Sequence, residues 1–388
     1  MPTPRLSDSI RIQWQARRLA ILRRLTNLSG KDFDPYPPPP KNVRLSPSHS
    51  HGIEYSEAPL ALSWSRRDRS EFSKWQREAR RKLVELLGLR LESAFTVTDA
   101  STERGVSSEF RSRSFYLRGS CERDIPVRLI WQSEQTNRPM PIMICLQGTN
   151  SGMHLSWGEA RMPADPFKIA EGGDLALQAA GRGFLAVCVE QACFGERRER
   201  QLHRRSATPC IDTANHALLL GRCLLGERVS DVSTVVDWLS SSASPFEMDT
   251  NRIFAMGNSS GGTTALYSAA VDERIAGIIA TGCIGYIRET IGIRGDNEGQ
   301  NVIPGILNWF ETDDILTLVA PRPLITVSGR HDGIWPFAGA QDVVATASQA
   351  YRLLGAESAI CCIEGFAGHR QYPDLSWPAF EQRTRPPT

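Results

Sequence analysis

Apolar and polar positions change their period twice along this chain of 388 residues. Between residues 11 and 28, Trp14, Ile21, Leu22, Leu25 and Leu28 recur at helical spacing, with Arg17, Arg18, Arg23 and Arg24 between them. That predicts an amphipathic helix. Asp34-Pro35-Tyr36-Pro37-Pro38-Pro39-Pro40 then excludes helix and reads as a stiff extended linker. A second helix is predicted at 69–87, with Phe72, Trp75, Ala79, Leu83 and Leu86 on one face and Gly88 as its stop. From 95 to 132 strict alternation takes over in the runs 95–98, 110–117 and 125–131, as in antiparallel strands at a sheet edge.

Past Pro141 the apolar runs become continuous. Residues 142–146, 184–189, 253–256, 275–281, 324–327 and 360–363 read as strands covered on both faces. Helical patterns at 174–180, 228–239 and 339–354 alternate with them. The expectation is an α/β fold, a mostly parallel doubly wound sheet with right-handed crossovers, antiparallel N-terminal strands and an N-terminal helical extension. The corresponding domains are 1–94, the extension with its Pro-rich linker, and 95–388, the α/β domain. Residues 284–312 lack periodicity and read as an insertion over one end of the sheet.

Composition adds mostly exclusions. A net charge of +2 gives no reason to expect nucleic acid or an anionic membrane as partner. Nine cysteines without a Cys-x-x-Cys spacing suggest neither a zinc site nor a redox motif, and reduced thiols of a cytoplasmic protein are the simplest reading. No apolar run approaches a membrane span, and no secretory h-region follows the N-terminus. The Arg-rich helix at 11–28 could be read as a transit peptide or a membrane-surface helix. Docking on its own domain, or on a second copy to form a homo-oligomer, is the stronger reading.

Gly257-Asn258-Ser259-Ser260-Gly261-Gly262 carries the chemistry. It joins the run 253–256 to a helical segment, and strand, sharp turn and helix is the setting of a nucleophile elbow. Side chains at Gly257 and Gly261 would collide with the neighbouring strand and helix. A serine hydroxyl needs a positioned base, and the base needs an orienting acid. Asp332 follows the strand 324–327 and His369 follows the strand 360–363, so both are expected at the sheet end that holds Ser259. Ser260 misses the signature as a nucleophile, but its backbone N–H can serve an oxyanion. The second donor is expected from Gln147-Gly148-Thr149-Asn150-Ser151-Gly152, at the N–H of Thr149. Gln147, His154, Trp157, Trp309 and Trp335 are candidate substrate contacts. Asp313 and Glu289 are rival acids, while His203, His216 and His331 read as surface or wall residues.

Those residues, with Ala320-Pro321-Arg322-Pro323-Leu324 ahead of Asp332 and Gly365-Phe366-Ala367-Gly368-His369, resemble the α/β-hydrolase superfamily. The nearest branch is that of bacterial acetyl-xylan-esterase-like and dienelactone-hydrolase-like proteins. The resemblance runs over about 83–367. It implies the α/β-hydrolase fold and a serine esterase without cofactor or metal, acting on a small-molecule ester with a small acyl group, an acetylated sugar being the family-level substrate. The same triad could serve a thioesterase, an acyltransferase or a C–C bond hydrolase, or survive in a binding protein without turnover. One departure stands out: Gln147-Gly148 occupies the place where such proteins commonly carry His-Gly.

Overall fold

The run 142–146 shows how the sheet is buried. Ile142, Ile144 and Leu146 enter one apolar cluster, while Met143 and Cys145 enter a second on the opposite face. Leu185, Val187 and Val189 against Ala186 and Cys188 repeat the division on the next strand. Successive side chains of a strand point to opposite faces, so a continuous apolar run is stable only between two layers of helices.

The computed structural model describes residues 40–89, 95–119, 123–134, 139–149, 151–199, 210–244, 246–294 and 299–384. The helix expected at 11–28 and residues 34–39 of the linker lie outside them, as does His203. Ten strands among the described residues form one sheet. They are β1 (Thr96–Ala100), β2 (Arg104–Gly105), β3 (Phe110–Arg118), β4 (Asp124–Gln132), β5 (Met140–Leu146), β6 (Leu185–Val189), β7 (Met248–Asn258), β8 (Ile275–Thr281), β9 (Leu324–Gly329) and β10 (Ile360–Gly365). The order is β1-β3-β4-β6-β5-β7-β8-β9-β10, with β2 paired to β3. From β6 to β10 all pairs are parallel, and β4, β3 and β1 follow antiparallel toward one edge. This is the α/β-hydrolase fold.

The longer helices are α1 (Pro47–Ser56), α2 (Phe72–Leu87), α3 (Leu175–Ala180), α4 (Cys210–Leu219), α5 (Leu224–Leu239), α6 (Ser260–Val271), α7 (Thr312–Val319), α8 (Phe337–Leu353) and α9 (Pro373–Thr384). Helices α2, α5, α6, α7 and α8 supply the first apolar cluster, and α3 and α9 the second. Arg322 ties two helices of the first layer to the start of β9. Its guanidinium donates to the carbonyls of Ala269 in the last turn of α6, Asp272 just after it, Ile275 at the start of β8 and Leu318 at the end of α7. A cation there satisfies carbonyls that the helices leave without partners.

The chain divides into two compact units, Met1–Glu54 and Tyr55–Thr388. In the first, helix α1 begins at Pro47, and it buries no residue. The division between these units falls at residue 54, ahead of the boundary expected near residue 94. Helix α2 belongs to the hydrolase unit because Trp75, Ala79, Leu83 and Leu87 are fully buried in its main core. Leu87 takes the place expected of Leu86, since the i+4 step from Leu83 follows the helix's own period more closely. Gly88 ends the helix in the left-handed region at φ 63°. Among the described residues no helix is long and apolar enough to cross a membrane.

Trp75 anchors α2, packing on Trp64 and Phe72 while its indole N–H donates to Leu62 O at 2.7 Å. Trp75→Ala should lower unfolding free energy by about 3–5 kcal/mol, as expected for a buried large-to-small change. Urea denaturation checks it. A loss under about 1 kcal/mol would place α2 outside the cooperative unit.

Candidate active site

Strand β7 ends at Asn258 and α6 begins at Ser260, so one residue makes the whole turn. That residue, Ser259, has φ 54° and ψ −125°, a conformation L-residues rarely adopt. Its N–H donates to Thr281 O at 2.8 Å and its carbonyl accepts from Thr263 N at 2.9 Å. The glycines around it are required by space. A Cβ on Gly257 would fall 2.3 Å from Gly261 C, and one on Gly261 would fall 2.0 Å from Leu146 O. Helix and strand are in contact there as the signature predicted, with Gly261 meeting β5 and Gly257 meeting α6.

The loops after β9 and β10 are stitched together by backbone hydrogen bonds. Arg330 N donates to Gly365 O at 2.8 Å and His331 N to Ala367 O at 3.0 Å. This fixes Asp332 opposite His369, whose Nδ1 lies 2.7 Å from Asp332 Oδ2. The other carboxylate oxygen accepts from Ile334 N at 2.8 Å and Trp335 N at 2.9 Å. Burial alone would raise this carboxyl. The His369 hydrogen bond and the two N–H donors outweigh it and hold Asp332 below its usual range. A carboxylate at Nδ1 keeps the ring hydrogen on that nitrogen and leaves Nε2 as the basic site. The His369 ring and the Asn258 side chain both border Gly282: a Cβ there would lie 3.3 Å from Nδ1 and 3.2 Å from Asn258 Oδ1. The rival acids stand elsewhere: Asp313 is in the first turn of α7, and Glu289 lies in the segment after β8.

The loop after β5 crosses the elbow closely enough that a Cβ on Gly148 would lie 3.3 Å from Ser259 Cβ. Thr149 Oγ1 is hydrogen-bonded to Ser260 Oγ at 3.3 Å and accepts from Gln300 Nε2 at 2.9 Å. Gln147 sends Nε2 to Glu190 Oε1 at 2.9 Å, and Met153 N donates to the same oxygen at 3.0 Å. One buried carboxylate thus holds both ends of the loop. The lining of a cleft beside it includes Gln147, Asn258, His369, Lys168, Glu171 and Gln371, with Leu155 and Leu175. Gln147 Oε1, Asn258 Oδ1 and Gln371 Nε2 have no hydrogen-bond partner among the described residues.

Four expected substrate contacts are engaged within the protein. His154 is buried, its Nε2 2.9 Å from Asp165 Oδ2 and 3.1 Å from Ser151 Oγ. Burial opposes charge on Asp165, but the bonds from Ser151, His154 and the N–H groups of Arg161 and Met162 bring it down to about 2. Trp157 lies under the Arg128 guanidinium and donates to Glu159. Lys82 Nζ sits 4.3 Å from the ring centre of Trp309. Trp335 gives Asp332 its N–H while its ring packs on Gly285. None of the four lines the cleft, where only Gln147 of the expected contacts appears.

A model of the Abhydrolase family matches residues 61–350. The chain belongs to the Abhydrolase family. It is 24% identical over 197 residues to "Putative hydrolase YtaP" of Bacillus subtilis (strain 168), spanning 50% of this chain and about three fifths (61%) of that relative. Among solved structures it resembles a "putative acetyl xylan esterase" from Bacteroides fragilis NCTC 9343, at TM-score 0.67 and 19% identity over 87% of this chain and 85% of that one. It also resembles a glucuronoyl esterase from Solibacter usitatus, at TM-score 0.60 and 14% identity over 84% and 96% of the two chains. These structural likenesses establish a shared fold.

Two residues of this Abhydrolase-family chain escaped the sequence reading. Gln300 comes from the non-periodic segment and Glu190 from the end of β6, and neither sits in a recognisable motif. Glu190 had one available signal: it follows directly on a fully apolar strand at the carboxyl edge, where polar side chains meet the site.

Burial pushes the Glu190 carboxyl from 4.5 up to about 7, against the N–H donors of Met153 and Glu196. Between those values the unfolded chain holds fewer protons than the folded one, so stability from this group falls as pH rises through about 4.5 to 7. Glu190→Gln removes that fall. Urea unfolding at about pH 5 and about pH 8 should show wild type losing on the order of 2 kcal/mol more than the variant. Equal losses would mean that Glu190 ionises as it does in the unfolded chain.

Proposed function

We propose that this protein is a serine carboxylic-ester hydrolase working through an acyl-enzyme. The observation that carries the reading is a strained serine on a strand-to-helix turn at the sheet end where a carboxylate-bound histidine also sits. Ser259 Oγ attacks the ester carbonyl as His369 Nε2 takes its proton. Asp332 holds the ring through Nδ1 and stabilises the imidazolium that forms. The N–H groups of Ser260 and Thr149 receive the oxyanion, with the first turn of α6 adding its dipole. His369 then returns the proton to the leaving alcohol. Water hydrolyses the acyl-enzyme with the same base.

The substrate we infer is a small acyl ester, such as an acetyl ester, of a hydroxyl-rich alcohol. Unpartnered Gln147 Oε1 and Asn258 Oδ1 are acceptors for hydroxyl protons, and Gln371 Nε2 is a donor to hydroxyl oxygen. Covering such groups with a long alkyl chain would cost their desolvation without return. Acetyl xylan and glucuronoyl esterases are the named activities of two structural neighbours, which supports a carbohydrate ester.

Ser259→Ala should lower kcat by on the order of 10⁶, whereas Ser260→Ala keeps its main-chain N–H and should lose less than about ten-fold. Fluorophosphonate labelling located by mass spectrometry gives the same answer independently; an adduct anywhere but Ser259 would sink the assignment. In a series of p-nitrophenyl esters, kcat/KM should fall steeply beyond acetate and propionate. A preference for octanoate would refute the small acyl site. Added methanol that diverts product from acid to methyl ester would show acyl transfer instead of hydrolysis.

A further inference from the structure

Arg228 on α5 is 1% exposed, and among the described residues no carboxylate oxygen lies within ion-pair distance of it. A buried guanidinium needs compensation. It donates Nε and Nη2 to Ala192 O at 3.3 and 3.0 Å, Nη1 to Gln300 Oε1 at 3.0 Å and Nη2 to Cys210 Sγ at 3.3 Å, and it lies over the Phe194 ring. One nitrogen therefore touches both Cys210 Sγ and the carbonyl of the peptide that leads into Cys193. Cys193 and Cys210 share a small apolar cluster at 2% and 0% exposure, and Cys210 Sγ also lies 3.9 Å from Gln300 Oε1. Cys193 also holds the left-handed φ of 77°.

Cys193 differs from the other thiols in the core. The neighbouring Cys210 and Thr213 side chains, with the charges of Arg228 and Arg197, outweigh burial and hold Cys193 below its usual range. Burial pushes Cys188 up to about 12 and Cys145 and Cys283 well above their usual value. A thiolate beside a cation is the reactive form of cysteine. On its far side Arg228 continues toward the elbow, through Gln300 to Thr149 Oγ1 and on to Ser260 Oγ.

We propose that Cys193 and Cys210 are an oxidisable dithiol, closed to a disulfide by a hydroperoxide, and that closure disturbs the oxyanion loop through Arg228 and Gln300. The Cys193 thiolate attacks one peroxide oxygen, the O–O bond breaks, and the departing hydroxide takes a proton to leave as water. Cys210 then attacks the sulfenic sulfur. The S–S bond forms, the S–O bond breaks, and hydroxide leaves with the Cys210 proton as a second water. Two thiols are oxidised by two electrons, and the peroxide is reduced. Burial restricts the oxidant to a molecule about as small as hydrogen peroxide. Once Cys210 Sγ is drawn into the S–S bond, Arg228 Nη2 loses that acceptor and Gln300 its fixed partner, so Thr149 is no longer held against Ser260.

The effect on catalysis rests on the esterase reading; the disulfide does not. Full-length protein is reduced, exposed to hydrogen peroxide and digested, and cross-linked peptides are mapped by mass spectrometry alongside hydrolysis of p-nitrophenyl acetate. The expected result is a Cys193–Cys210 cross-link with kcat lowered on the order of ten- to a hundred-fold, as for a misplaced oxyanion donor, and restored by dithiothreitol. Cys193→Ser and Cys210→Ser should show neither change, with Cys→Ala versions and circular dichroism guarding against misfolding. Gln300→Ala should still form the cross-link but lose most of the further drop in kcat. Oxidation of other cysteines without this cross-link overturns the site, and a cross-link with kcat unchanged overturns the coupling. A reduced protein inactive on every ester would sink the esterase reading while the mapping still decides the dithiol.

Discussion

Everything at the carboxyl edge of the sheet depends on the close approach of three backbones around Ser259. Strand β7, helix α6 and the end of β5 meet where a Cβ on Gly257 or Gly261 would overlap main-chain atoms. That contact leaves Ser259 the left-handed turn at φ 54°, a cost of roughly 1–3 kcal/mol by itself. The bond from Ser259 N to Thr281 O and the first turn of α6 hold it there. A side chain displayed by so constrained a turn has little freedom, and catalysis through positioning depends on that lack.

The ionisable groups nearby are tuned by what surrounds each one. Asp332 and Glu190 are both buried carboxyls at strand ends, yet they move in opposite directions. Asp332 faces an imidazole and accepts two backbone N–H groups on its second oxygen, so the charged form prevails. Glu190 also accepts N–H donors, but burial outweighs them. The charge is kept where it meets an imidazole and suppressed where the carboxyl braces a loop. Between these sites, the Thr149 hydroxyl connects the elbow to Gln300 and through it to buried Arg228. The loop bordering the cleft is consequently continuous with a polar network that reaches Arg228 on α5.

Much of this was legible because it depends on local pattern. Continuous apolar runs located the six parallel strands, and alternation located the antiparallel edge. Gly-x-Ser-x-Gly, with Asp332 and His369 after later strands, placed three side chains at one sheet end because parallel strands put their carboxyl ends together. Residue type alone was less informative. His154 and the tryptophans looked suited to ligands, but Asp165 claims the histidine and Arg128, Lys82 and Gly285 claim the rings. Helix α2 looked like part of an extension because the linker precedes it, though its apolar face completes the main core.

The amino-acid sequence by itself determined the strand and helix periods, the strained turn at Ser259 and the chain order of serine, acid and histidine. Each is set by backbone sterics or side-chain periodicity over a few neighbouring residues. Only the tertiary structure decided which polar groups meet across long separations: Gln300 with Thr149, Gln147 with Glu190, and Arg228 with Cys210. Such contacts depend on how loops from different strands fold over one edge. No local period encodes them, because a buried polar group accepts any partner of matching donor or acceptor type that packing brings within reach.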